Sequence, residues 1–255
     1  MMRPLTFLAA LILFAAMYSP FAVAAEKAAS TTAATVTAIE GSARVFVNNK
    51  ASGRPLKRGD ILRKEHEVRV GDSSRIELRF PDGTVMRLAE RSRLSLREVN
   101  YDKRTESKNV KVNLGVGKLW AKVKKLATPD SSVEVMTGNA VAGVRGTVYR
   151  MNVEEDNSSL IKVYDGSVYV ASPPKDESGK TTTGFSAPVP VPGPHEVPPP
   201  VHEVTMEEWH VIVQAMQQVT ISSQGVASQP QDFDPKADAD DWVKWNQERD
   251  KQVVF

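Results

Sequence analysis

The sequence predicts an all-β protein: an antiparallel sandwich or barrel-like fold, followed by a proline-rich linker and a short helical C-terminal extension. Apolar and polar residues alternate from Val68 to Arg97, and this period of two is typical of half-buried strands. Asp82-Gly83 separates two such runs and indicates a hairpin, because glycine accepts the positive φ of the turn. Further strand-like segments recur at a spacing of roughly 8–12 residues, as in sandwiches and barrels.

Residues 1–24 of the 255-residue chain are typical of a secretory signal peptide. Arg3 is followed by an apolar run from Leu5 to Met17, and small residues up to Ala24 suit cleavage after that position. A retained anchor is the alternative, but the run is shorter than the roughly 20 residues that a spanning helix needs. We therefore expect a flexible leader at 25–34 and a protein that is periplasmic or exported to the cell envelope, with no transmembrane segment after cleavage.

The predicted β domain covers residues 35–172. Its expected strands lie at 35–39, 42–48, 61–62, 68–70, 75–80, 84–88, 94–97, 110–114, 118–123, 133–136, 141–144, 147–153, 160–163 and 168–170. The segment GTVMRL that begins at Gly83 recurs as GTVYRM at Gly146, which is 63 residues later. Two copies are too few for a solenoid, so the echo predicts equivalent strands in two halves of one pseudo-symmetric unit.

Residues 173–204 are rich in proline, which favours an extended spacer or, alternatively, a recognition motif for a partner. Residues 205–255 form the predicted acidic, tryptophan-containing tail. Thr205 and Glu208 fit a capping box, and Met206, Trp209 and Val213 follow at helical spacing. The pattern predicts a four-turn helix that docks on the β domain or, alternatively, contacts a partner.

Trp242 and Trp245 are three residues apart and share one face of a second predicted helix. One interpretation is that they attach the terminus to the domain surface, since tryptophan buries a large apolar area. The other is a stacking platform for sugar rings.

Charge is distributed unevenly although the net charge is +2. Residues 35–172 contain 25 Lys and Arg against 17 Asp and Glu, a difference of +8, whereas residues 173–255 contain 6 against 13, a difference of −7. The acidic tail would then screen the basic domain, or the domain would present a basic face to an anionic envelope partner. Nucleic acid is not an expected partner of an exported chain.

The residue inventory argues against an enzyme. With no cysteine, the chain has no disulfide, thiol nucleophile or Cys-ligated zinc. The four histidines show no HExxH spacing, and there is no Gly-x-Ser-x-Gly elbow or P-loop. Five aspartates between Asp232 and Asp241 either bind calcium weakly or form a solvated helix start. We therefore predict no catalytic residues, no metal and no cofactor.

The order of several motifs resembles FecR-domain proteins across about residues 35–172. The matching elements are Thr35–Val47, Pro55–Asp60, Val68–Gly83, Gly117–Lys118, Ala140–Thr147 and Asp165–Val170. In the family's namesake, the ferric citrate regulator, this domain lies in the periplasm and relays a signal from an outer-membrane transporter to a sigma factor. This chain has only a signal peptide where that regulator has a cytoplasmic part and a spanning helix. The resemblance therefore implies an all-β sensing or interaction module, without transmembrane anti-sigma signalling.

These observations predict a non-catalytic interaction or sensing protein of the periplasm or cell envelope, whose partner is an envelope protein. The alternative is a module that binds an envelope glycan such as peptidoglycan or another polysaccharide. The residues Asp82-Gly83 and Arg145-Gly146-Thr147 would also be explained if they only form turns and contact no partner. The candidate interaction residues are Asp82, Gly83, Arg145, Gly146, Thr147, Trp209, Trp242 and Trp245.

Overall fold

A computed structural model describes residues 33–47, 52–174 and 209–255. The predicted signal peptide, most of the leader and the proline-rich stretch at 175–204 lie outside the described residues, as does the capping box at 205–208. The strands are β1 (Ala33–Glu40), β2 (Ala43–Val47), β3 (Arg54–Pro55), β4 (Ile61–Arg63), β5 (His66–Val70), β6 (Arg75–Arg79), β7 (Val85–Leu88), β8 (Arg93–Asp102), β9 (Ser107–Lys122), β10 (Ser132–Met136), β11 (Val141–Val144), β12 (Val148–Val153), β13 (Ser159–Asp165), β14 (Ser167–Ala171), β15 (His210–Gln214), β16 (Gln217–Ile221) and β17 (Gln231–Asp232). The one helix among these residues is α1 (Asp241–Asp250).

Hydrogen bonds link the strands into one continuous sheet whose two parts share β9. Sheet A has the order β3-β2-β5-β8-β9-β10-β11-β14-β15, and sheet B has the order β4-β1-β6-β7-β9-β12-β13-β16-β17. Neighbouring strands run antiparallel except β9 and β10, which are parallel. The prediction of an all-β protein is confirmed.

The core lies between the two parts of the sheet. Val68 and Leu94 of sheet A and Ile76 and Leu119 of sheet B belong to one buried cluster. Because strand side chains alternate between faces, strands such as β6 (Ile76, Leu78) contribute every second residue to this cluster. The sheets therefore pack face to face in a sandwich-like arrangement.

The predicted central hairpin is present as β6 and β7. Leu78 lies opposite Met86 in the core, and Glu77 lies opposite Arg87 on the outer face. Gly83 has a φ of +93° in the connecting turn, which is the conformation that favoured glycine there.

Strand β9 corrects one sequence-based expectation. The glycines at 115 and 117 predicted a break between two strands, but β9 is continuous through both. Its first part pairs with β8 and β10 in sheet A, and its last six residues pair with β7 and β12 in sheet B. Gly117 has a φ of +100°, and at this point the strand passes from one sheet into the other.

The four-turn helix predicted from Thr205 is wrong for the residues that the structure describes. Residues 210–214 and 217–221 instead form β15 and β16. β15 pairs with β14 in sheet A, and β16 pairs with β13 in sheet B. This segment is rich in β-branched residues, including Val213 and Ile221, which pack well on a pleated surface. Pairing with the open strands β13 and β14 outweighs the helical spacing of the apolar residues.

Helix α1 is the short C-terminal helix that the sequence predicted. Asp240 caps it, since its carboxylate accepts a hydrogen bond of 2.8 Å from the backbone N–H of Val243. Trp242 and Val243 pack with Trp120 and Tyr164 on the outer face of sheet B. Within residues 33–47, 52–174 and 209–255, no helix has the length and apolar character required to cross a lipid bilayer.

Candidate functional site: a groove beside two paired turns

The repeated hexapeptide corresponds to two strands placed symmetrically about β9. Val85 of β7 and Val148 of β12 both lie opposite Lys122, one on each side. Arg87 and Arg150 likewise both lie opposite Trp120. The turns that precede the two strands, at 81–84 and 145–147, are therefore brought to the same end of β9. This register supports the predicted equivalence of the two halves.

The first turn uses its polar groups inside the protein. Asp82 accepts hydrogen bonds from the hydroxyl (2.7 Å) and backbone N–H (3.1 Å) of Thr84. It also forms a nearly buried ion pair with Lys108. Burial lowers the pKa of Lys108, and the charge of Asp82 opposes this shift. Gly83 faces the ring of Phe255, whose nearest atom is 3.5 Å from where a Cβ would lie.

The second turn leaves one charged group exposed. Thr147 is buried and donates from Oγ1 to the carbonyl of Ser167 at 2.9 Å. Gly146 has a φ of +73°, and a Cβ there would lie 3.0 Å from the Cα of Lys125. These two residues therefore shape the turn, whereas Arg145 is exposed to solvent.

An open groove of about 430 Å³ lies beside this second turn on sheet A. Its residues include Leu126, Ser132, Glu134, Arg145, Ser167 and Tyr169, and the lining is mainly apolar. The groove follows opposed residues across three strands, from Glu134 through Gly143 to Tyr169, and Ile212 of β15 lies opposite Tyr169 outside the groove lining. Gly143 has no side chain, so the surface is hollow between Glu134 and Tyr169.

The groove continues toward an edge of the sheet. Strand β15 is the last strand of sheet A in the part of the chain that the structure describes. Ile212 on this strand is 54% exposed, and the neighbouring Tyr169 is 40% exposed. The ring of Tyr169 stacks on His210 with 5.7 Å between ring centroids. An edge strand and exposed apolar side chains thus occur together.

The three candidate tryptophans lie away from this groove and are engaged within the chain. Trp209 donates from Nε1 to the carbonyl of Gly225 at 2.6 Å and packs on the core. Trp242 is 6% exposed and stacks on Trp245 with centroids 5.5 Å apart. Trp245 in turn donates to a carboxylate oxygen of Glu40 at 3.0 Å. These contacts attach the three tryptophans to other parts of the folded chain, and binding of a partner or a sugar by them stays a prediction.

The C-terminal helix is held on sheet B by charged groups that the sequence did not single out. Asp250 accepts hydrogen bonds from Arg87 Nη1 at 2.6 Å and from Trp120 Nε1 at 2.9 Å. Arg87 also contacts Glu77, with 2.8 Å between Nε and Oε2, and its side chain is completely buried. Arg249 donates to the same oxygen of Glu77 at 3.0 Å.

A second carboxylate repeats this arrangement at the equivalent position of the other half. Asp238 pairs with Arg150, the counterpart of Arg87, and with Lys162 at 2.7 Å. It also accepts a hydrogen bond from the hydroxyl of Tyr164, and burial followed by this bond raises the pKa of Tyr164. Asp238 is therefore part of a buried ion pair rather than of the predicted solvated or calcium-binding cluster. The arginine that recurs in both copies of the hexapeptide is the sequence feature that could have indicated these two buried ion pairs.

Comparison with known proteins identifies one family and two structural relatives. The family model described as FecR protein matches residues 66–169. Two crystal structures of a candidate anti-sigma factor from Parabacteroides distasonis, at 2.50 Å and 1.65 Å, align with TM-scores of 0.42 and 0.43. Each is 16% identical, and each alignment covers 67% of this chain and 61% of that chain. With TM-scores below 0.5, these two structures carry no inference about function.

No curated protein matches the chain significantly. The family match covers both halves of the symmetric unit, including β7, β9 and β12, and it ends within β14. The motifs that suggested the resemblance between residues 68 and 169 fall inside it. Residues 66–169 therefore match the FecR family, and we call this matched region the FecR domain.

Proposed function

We propose that this chain is a non-catalytic interaction and sensing protein of the bacterial periplasm or cell envelope, and that it binds a protein partner through the groove on sheet A. The FecR domain supports a regulatory role, since in the family's namesake this domain receives a signal from a membrane protein. The predicted signal peptide supports the location. The observation that carries the proposal is an open, mainly apolar groove that extends to Tyr169 of β14, the strand next to the edge strand β15.

The geometry suits an extended segment of a partner. A strand at the edge of a sheet offers backbone N–H and C=O groups to which another chain can add a strand. A segment that pairs with β15 would lie beside the exposed side chain of Ile212. The hollow at Gly143 lies two strands inward from β15, so a second part of the partner, lying over the face of sheet A, would place an apolar side chain there and an acidic group at Arg145. In this proposal Arg145 is the interaction residue, while Gly146 and Thr147 hold the turn that presents it.

A photo-crosslinking amino acid in place of Tyr169, introduced in the native host, tests the proposal. Gly143→Val should close the groove, because a Cβ at this position meets no atom closer than 3.8 Å and the strand therefore accommodates it. Gly115→Val is the matched control, since Gly115 is also a strand glycine whose Cβ would meet nothing closer than 3.7 Å. We expect one envelope protein to be crosslinked, and we expect Gly143→Val and Arg145→Glu to abolish this product while Gly115→Val preserves it.

Crosslinking that persists in Gly143→Val would show that the groove is not the contact. Recovery of polysaccharide in place of a protein would favour the alternative function, an envelope glycan-binding module. The packed tryptophans give that alternative little support. The exposed arginines of sheet A support it better, and they lie at a different site.

A further inference from the structure

Three arginines lie side by side on the outer face of sheet A, in the half of the molecule opposite the groove. Arg44 of β2 lies opposite Arg69 of β5, and Arg69 lies opposite Arg93 of β8. All three are exposed, while their neighbours Val45, Val68 and Leu94 are buried. We call these three residues the arginine row. It runs across the strands, so that its members are spaced by about 4.8 Å, the distance between neighbouring strands.

The arginine row is unfavourable for folding by itself. Like charges directly opposite each other on neighbouring strands destabilise a sheet, and here three follow one another. Local contacts offset this only in part. Glu67 lies 2.5 Å from Arg69 and 3.9 Å from Arg93, while Arg44 donates to the backbone carbonyl of Gly53. The three arginines of the row and Glu67 together carry an excess of two positive charges.

Two other exposed arginines are each balanced by a carboxylate. Arg54 pairs with Asp60 at 2.6 Å, and Arg91 pairs with Asp72 at 2.9 Å. Each of them has a carboxylate of its own, whereas Arg69 and Arg93 share Glu67 and Arg44 donates to a backbone carbonyl. The guanidinium of Arg69 is also held in place, 4.0 Å above the ring of Phe46. The row is therefore a partly ordered, incompletely neutralised set of cations.

We infer that the arginine row binds an acidic polysaccharide that carries one carboxylate on each sugar residue. Guanidinium groups bind carboxylates in a planar, bidentate manner. The spacing of the row is similar to the advance of a polysaccharide chain per sugar ring, so successive carboxylates can meet successive arginines. A polymer is favoured over a single small anion because three aligned contacts act together. This site is separate from the groove and independent of the function proposed for it.

A lipid surface is a poorer match to the same charges. Stable binding to a membrane interface combines basic residues with apolar side chains that enter the acyl region. The exposed large hydrophobic residues in the described part of the chain are Ile61, Tyr169, Ile212, Met216, Val226, Val254 and Phe255. None of them lies on β2, β5 or β8, so among the described residues these three strands offer no exposed large apolar side chain for insertion.

Titration of the mature full-length protein with sodium alginate, a polyuronate, tests this inference. We expect wild-type binding that weakens steeply as salt is raised, because exposed charges are screened, and no binding to neutral dextran. The triple variant R44Q/R69Q/R93Q should bind alginate at least about tenfold more weakly, which corresponds to about 1.4 kcal/mol. The control variant R58Q/R91Q/R104Q loses the same charge at exposed positions elsewhere and should retain affinity within about twofold.

Thermal unfolding of the triple variant provides a second readout. Its Tm should equal or exceed that of the wild type, since three repelling charges have been removed. Equal losses of affinity in both triple variants would show that alginate binding depends on net charge alone. This result would overturn the inference. Binding to vesicles of phosphatidylglycerol, without binding to alginate, would also overturn it. Gly143→Val should leave alginate binding unchanged, so this result is separable from the test of the groove.

Discussion

Arg87 is completely buried between two carboxylates, Glu77 and Asp250, which come from opposite parts of the chain. The hexapeptide echo marks Arg87 and Arg150 as equivalent positions on alternating strands. The sequence could not show that both are covered by C-terminal residues on the outer face of sheet B, because their partners Asp250 and Asp238 are 163 and 88 residues away. Alternation alone assigns such residues to a solvated face.

Replacing Arg87 with glutamine tests the importance of this buried contact. We expect a loss of about 3–5 kcal/mol in the free energy of unfolding, since removal of one partner leaves buried carboxylates uncompensated. Urea unfolding of the purified protein measures the change. The control is Arg91→Gln, which removes an exposed ion pair with Asp72 and should cost less than about 1 kcal/mol. Equal effects of the two substitutions would contradict the buried role of Arg87.

Glu77 gives the fold a specific dependence on pH. Burial alone would raise its pKa, but hydrogen bonds from Arg249, Thr37 and Arg87 outweigh burial and lower the pKa from 4.5 to about 2. The ionised form is therefore favoured by folding. Its stabilising contribution is complete above about pH 4.5 and is lost as the pH falls from there through about 2.

Urea unfolding at a series of pH values between 2 and 6 tests this dependence. The variant Glu77→Gln should be less stable than the wild type at pH 6, and the difference between the two proteins should shrink as the pH approaches 2. Glu65→Gln, in an exposed turn, should reproduce the pH dependence of the wild type. A difference between Glu77→Gln and the wild type that stays constant over the whole range would show that ionised Glu77 does not stabilise the fold.

At the scale of the elements, the central hairpin could be predicted from the sequence, whereas the pairing of strands that are remote in sequence could not. The β6–β7 hairpin follows from alternation and from Asp82-Gly83, which are local signals. The sequence analysis did not predict the strands β15 and β16, because Trp209, Val213 and Met216 have the spacing of a helix face. The same segment is also rich in residues that favour β-strands. Whether such a segment becomes a strand depends on the open strands β13 and β14, which a local pattern does not reveal.

The bend of β9 depends on one glycine conformation. Gly117 has a φ of +100°, and a Cβ there would lie 2.5 Å from the Cα of Ser92. Gly117→Ala should therefore lower the free energy of unfolding by at least about 3 kcal/mol, from backbone strain together with the clash. Gly115→Ala, two residues earlier in the same strand, meets nothing closer than 3.7 Å and should change stability by less than about 1 kcal/mol. Chemical denaturation of both variants gives the comparison, and similar values would contradict the proposed role of the bend.

At the scale of the whole molecule, the C-terminal residues belong to the same folded unit as the FecR domain. The sequence predicted a β domain at 35–172 with a tail that docks on it. In the structure, β15 extends sheet A, β16 extends sheet B, and α1 covers the outer face of sheet B. The change in composition at the proline-rich linker indicated a boundary, although strands on both sides of the linker pair with each other. Whether the C-terminal residues belong to the same folded unit depends on the strands with which they pair, and these strands are remote in sequence.

Native-state hydrogen exchange of the mature full-length protein, followed by mass spectrometry, is the most direct test of this single unit. Amides of β16 and α1 should exchange with the same opening free energy as those of β9, because all three lose their hydrogen bonds only in global unfolding. Denaturant should raise their exchange rates in parallel. Exchange of β16 and α1 through a separate, less costly opening that leaves β9 protected would contradict the account, since the C-terminal residues would then be an appendage to the FecR domain.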